Sequence, residues 1–146
     1  MNKTVARCIF IASVTVWLVT LVYRPDAISD GNAFLKGFVN HELLAFLGVI
    51  VTITLASAAN LHLALNQLEA ATKEKNNFPA TRRSVRVSAY ALLWLLVAAI
   101  IMVVAKPMAT GGNVTVEAFF NGAAIVIVIA NVLILADLTE AAFKIR

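Results

Sequence analysis

Imidazole is the side chain here best suited to ligating iron or zinc, and the chain has two, His41 and His62. They lie 21 residues apart, which on one continuous helix is roughly 30 Å along the axis. That spacing prevents them from clasping one iron within a chain. The single cysteine, Cys8, can form neither an intrachain disulfide nor a cysteine-based metal site. The HExxH pair of zinc hydrolases and the nucleophile elbow of α/β hydrolases are also missing. The expectation is no enzyme, no metal and no cofactor.

Polar residues inside apolar blocks say more. Thr52, Thr54, Ser57, Asn60, His62 and Asn66 accumulate among Ala56, Ala58 and Ala59. Small and hydroxylated residues at membrane depth mark helix contacts, because they allow close backbone approach and hydrogen bonds between helices. Ser57, Asn60 and Ala64, three and four residues apart, share one stripe that either packs or lines a water-filled path through an oligomer. A later block carries Asn121 and Asn131, with Ala123, Ala130 and Asp137 repeating every seven residues, the spacing of a left-handed helix contact. Asp137, Glu140 and Lys144 then form a polar stripe at the end of that block. In a ring of subunits, Asp137 and Glu140 would place carboxylates at a pore mouth and attract cations. Ser57, Asn60, Ala64, Asn121, Asn131, Asp137 and Glu140 are therefore the pore-lining candidates.

The elements that must position these residues follow from composition. Of 146 residues, 61% are hydrophobic and 14% charged, well outside the balance of a soluble domain. Four apolar blocks, at about 5–22, 43–65, 85–105 and 118–136, approach or exceed the roughly 20 residues that a helix needs to cross a bilayer. The expected fold is all-α, a single polytopic domain over 1–146 with four transmembrane helices. The first block follows Lys3 and Arg7 like a signal peptide, but no small-x-small cleavage site precedes Tyr23, Arg24 and Pro25, so it reads as a retained span.

The net charge of +4 is topological rather than a sign of nucleic-acid binding. Lys3, Arg7, Lys73, Lys75, Arg82, Arg83, Arg86, Lys144 and Arg146 flank the spans on one side; only Arg24, Lys36 and Lys106 fall on the other. Cationic loops stay in the cytoplasm, which predicts both termini and the middle loop inside a multi-pass plasma-membrane protein. Span two should continue into the cytoplasm as an amphipathic stalk, since Leu61, Leu65 and Leu68 make one stripe and His62, Asn66, Glu69 and Lys73 another. The stalk should stop at Asn76-Asn77-Phe78-Pro79. Glu69, Lys73, Arg82, Arg83 and Arg86 are candidates for contact with a cytosolic regulatory protein or an anionic ligand, although the same cations also serve insertion and lipid phosphate.

The outer loops carry turn residues, Arg24-Pro25-Asp26 and Ser29-Asp30-Gly31-Asn32 in the first, Lys106-Pro107 and Gly111-Gly112-Asn113 in the second. Between the first loop's turns and span two, Ala33 to Phe38 is apolar enough for a short surface helix. Asn113-Val114-Thr115 has the form of a glycosylation acceptor. No span has a charge at its middle, as proton-coupled carriers require, and none shows the broken helices of many transporters.

The run Ile53-Thr54-Leu55-Ala56-Ser57-Ala58-Ala59-Asn60-Leu61-His62-Leu63, continuing through Leu65 and Glu69, together with the basic Arg82-Arg83 turn, resembles the compact four-span membrane effectors of bacterial anti-phage systems. That resemblance is architectural and includes no catalytic signature. It implies a homo-oligomeric channel that permeabilises the inner membrane and is gated from inside, with span two or four at the pore. The alternative expectation is an accessory subunit whose small and amide residues anchor it in a larger membrane complex.

Overall fold

The computed structural model describes residues 3–72 and 79–143. Five α-helices follow in order: α1 (Lys3–Tyr23), α2 (Ala33–Phe38), α3 (His41–Thr72), α4 (Pro79–Thr110) and α5 (Val114–Phe143), with one 3-10 turn at Pro25–Ile28. No strand occurs among the described residues. The helices α1, α3, α4 and α5 are each long and apolar enough to cross a membrane. The apolar stretches of the last three run 27, 29 and 27 residues, roughly 40 Å each, so they overhang a hydrocarbon core of about 30 Å.

The helix starts are written in asparagine. The Asn32 side-chain oxygen accepts from the backbone amides of Phe34 and Leu35, Asn40 from Glu42, and Asn113 from Thr115 and Val116. Each satisfies amide donors that the first turn of a helix leaves without partners. Asn113, the candidate glycosylation acceptor, is thus the cap of α5. Ala33 to Phe38 forms the short helix expected of it. The Lys106-Pro107 pair, expected to end span three, instead lies within α4, which runs on to Thr110. Proline removes a single helical hydrogen bond there, and so near the helix end the loss is tolerated. The chain reverses at Gly111 and Gly112, whose φ values of 47° and 82° are left-handed and cheap only for glycine.

Packing centres on α5, which touches α1, α3, α4 and the 3-10 turn. One buried cluster joins Val39, Leu43 and Leu47 to Ala99, Ala124 and Ile127 near the end of the bundle that carries the loops. A second joins Val51, Ala58 and Leu61 to Val85, Leu92 and Leu138 toward the other end. That other end also carries Arg7, Arg82, Arg83 and Arg86 and is called the basic end below. Helix α1 leans on α5 without a single buried residue among Thr4–Tyr23. The proximity is set by Gly122, where an added methyl would overlap the Trp17 indole.

Candidate functional site

Most of the polar side chains with partners in a second helix gather at the two ends of the bundle. At the loop end, Lys106 retains 7% of its surface and Asn121 none, because α4 and α5 close over both. The Lys106 ammonium donates to Asp30 Oδ1 at 2.6 Å and to Asn121 Oδ1 at 2.8 Å, and Asn121 Nδ2 donates to the same Asp30 oxygen at 2.9 Å. The backbone amide of Asp30 donates in turn to Glu117 Oε2 at 3.2 Å. One aspartate in the first loop thereby ties the end of α4 to the start of α5. Burial pushes the Asp30 carboxyl up, but the hydrogen bonds from Lys106 and Asn121 and the charges of Lys106 and Lys36 outweigh it, holding the group below the usual carboxylate range.

At the basic end, the expected cationic cluster is dispersed. Successive helical residues point about 100° apart, so Arg83 turns away from Arg82 and Arg86, which lie one turn apart and share a face of α4. Arg82 reaches α3, where its guanidinium donates to Asn66 Oδ1 and Glu69 Oε2, both at 2.7 Å. Arg86 lines a crevice of about 330 Å³ between α3 and α4 with Arg82, His62 and Ala59. Arg83 faces the opposite side, in a crevice of about 500 Å³ that it shares with Arg7 of α1 and Asp137 of α5. Lys73 lies outside the described residues, as do Asn76 to Phe78 and Lys144.

The pore-lining candidates divide in the same way. Asn121 and Asn131 are fully buried inside the chain, the first in the loop-end cluster, the second donating from Nδ2 to the Ile127 carbonyl at 2.9 Å with its Oδ1 unmatched. Ser57 and Asn60 are exposed and Ala64 half-exposed, on the face of α3 that also shows Val49 and Ile53. Ser57 satisfies its hydroxyl on the Ile53 carbonyl at 2.9 Å, as Thr52 does on Gly48 at 2.7 Å. Asn60 makes no hydrogen bond among the described residues. Asp137 and Glu140 are half-buried near the end of α5.

No protein-family model matches the chain, and neither the curated proteins nor the solved structures include a significant match. The geometry must be read by itself. Among the described residues, no three histidine, cysteine or acidic side chains lie close enough together to hold a metal ion.

The loop-end cluster escaped the sequence reading, which placed Asp30 and Lys106 in separate turns. One signal was present. Lys106 is one of three cations on the side where cations are scarce, and it directly follows an apolar run. A lysine so placed needs an acceptor, and the candidates were the loop acids Asp26, Asp30 and Glu117.

Proposed function

We propose that this protein is a homo-oligomeric ion channel or pore-forming effector of a bacterial inner membrane, gated from the cytoplasmic side. The observation that carries the proposal is the exposed stripe of Ser57, Asn60 and Ala64 on α3. If the stripe served packing within the chain it would be covered, and it is not. An unmatched carboxamide facing hydrocarbon costs several kcal/mol, of order 2–7, so Asn60 calls for water or for a second copy. Asn60 sits about 9 Å along the helix from Asn66, where the Arg82 contacts begin. With the basic end in the cytoplasm, it falls in the inner half of the bilayer, and Asp137 and Glu140 fall at the depth of the inner mouth, Asp137 on the α1–α4–α5 side where its charge acts on ions only at a distance.

The second reading, an accessory subunit of a larger complex, loses Asn121 and Asn131 as anchors, since both are buried inside one chain, and draws on the same exposed Ser57 and Asn60. The two readings part on self-association and current. Purified in detergent and reconstituted in planar bilayers, a channel forms discrete rings visible by electron microscopy and conducts; Asn60→Leu changes its conductance, and Asp137→Asn weakens its cation preference. A monomeric preparation without current rejects the channel. A defence role predicts that activating expression depolarises bacteria and that Asn60→Leu relieves it.

A further inference from the structure

Arg7 and Arg83, on facing walls at the basic end, have no partner among the described residues. Among the described residues, Arg7 of α1, Arg83 of α4 and Asp137 of α5 form no ion pair, although all three line the same crevice of about 500 Å³. The α4 wall also bears Ser84 and Ser88, one turn apart. Hydroxyls on these helices ordinarily donate to the carbonyl four residues back, as Ser13, Thr15, Thr52 and Ser57 do. Ser84 and Ser88 donate to no acceptor among the described residues. The crevice therefore presents two guanidinium groups and two hydroxyls, all donors, against one carboxylate.

The same seam continues into the bilayer region as a groove. Two residues beyond Arg7 on α1, and one turn before Leu133 on α5, a second hollow of about 390 Å³ opens, lined by Ile9, Val16, Trp17, Ile125, Val126 and Ile129 among others. It follows α1 from Ile9 to Thr20, which is about 16 Å of helix and close to one leaflet of a hydrocarbon core of about 30 Å. Because α1 buries no residue, the seam is open along its length to anything that moves in the plane of the membrane.

We propose that this seam is a binding site for one anionic phospholipid, its phosphodiester between Arg7 and Arg83 and an acyl chain along the α1–α5 groove. The donor set fits a phosphate, which accepts from guanidinium and hydroxyl alike. The apolar continuation distinguishes a lipid from a soluble phosphate, which would leave the groove unfilled. Asp137 at the crevice wall repels part of the incoming charge and limits affinity. The site lies away from the α3 stripe and stands whether or not the protein conducts.

The test is native mass spectrometry of the intact protein, released from detergent supplemented with phosphatidylglycerol or with phosphatidylcholine at equal concentration. One phosphatidylglycerol per chain should persist, bound at least tenfold more tightly than phosphatidylcholine. R7Q/R83Q, which removes two exposed and unpaired charges, should abolish that preference, while R86Q in the neighbouring crevice should keep it. Ile129→Trp, filling the groove, should weaken retention with both arginines intact. Asp137→Asn should tighten binding several-fold, a gain that misfolding cannot mimic. Equal retention of the two lipids, or an equal loss in R86Q and R7Q/R83Q, would overturn the proposal by showing general charge attraction. Full displacement by millimolar glycerol phosphate would overturn it in favour of a soluble anion.

Discussion

Lys106 is a cation at the end of a candidate span with less than a tenth of its surface open to water. Only its acceptors make that position tolerable. Breaking a buried pair by removing one partner strands the other charge, which costs more than the pair itself contributes. Asp30→Ala should therefore lower stability by about 3 kcal/mol, whereas D30N/K106M, which leaves no charge behind, should recover most of the loss. Thermal unfolding in detergent, run as a double-mutant cycle, measures both. The pH response has a definite sign. Asp30 titrates lower in the folded chain than in an unfolded one, so its contribution is complete above the ordinary carboxylate range. It is lost as pH falls through the depressed folded value. Acidification below about pH 4 should loosen the loop end of the wild type. Protection of the Gly31 and Asn32 amides, with exchange corrected for its intrinsic pH dependence, should fall there, and Asp30→Asn should show the same loss of protection at neutral pH. Asn131 makes the opposite case. Its buried Oδ1 has no donor, so Asn131→Leu, which keeps the branched outline and only adds bulk, should leave the melting temperature unchanged or raise it.

At the scale of elements, the long apolar blocks were legible because a run that can only be satisfied by helix in lipid leaves few alternatives, and the described helices contain all four. The short helix Ala33–Phe38 was legible from its apolar composition, whereas Asn32 read as a turn residue and only the structure shows it as the cap. The polar partnerships were not. Periodicity reports which residues share a face of one helix, and it correctly grouped Ser57 with Asn60. It does not report which face meets which neighbour, so Arg82, Arg83 and Arg86 read as one cluster although Arg82 and Arg86 face α3 while Arg83 faces α1 and α5. Lys106 escaped because proline beside it suggested a turn. The seam between α1 and α5 depends on a feature of equal subtlety, the absent side chain of Gly122 beneath Trp17. Gly122→Val should push the indole out and separate α1 from α5. Cross-linking of cysteines placed at Ser13 and Val126, in a Cys8→Ser background, should be efficient in the otherwise unaltered protein and drop several-fold in the Gly122→Val variant.

For the molecule as a whole, two polar fastenings brace the helices at opposite ends, Asp30–Lys106–Asn121 and Asn66–Arg82–Glu69, with apolar packing between them. Helices α3, α4 and α5 form the braced unit; α1 lies outside it, held to α5 and the 3-10 turn. That arrangement has a consequence for how the protein is made. Helix α1 is synthesised first, yet α5 emerges last, ending about 120 residues later (Tyr23 to Phe143). At roughly 5–20 residues per second, the first helix waits some 6–24 s before its neighbour exists. Throughout that interval it must be content alone in lipid, and its composition suits a solitary stay. Its spanning residues carry no amide, and Ser13 and Thr15 spend their hydroxyls on its own carbonyls.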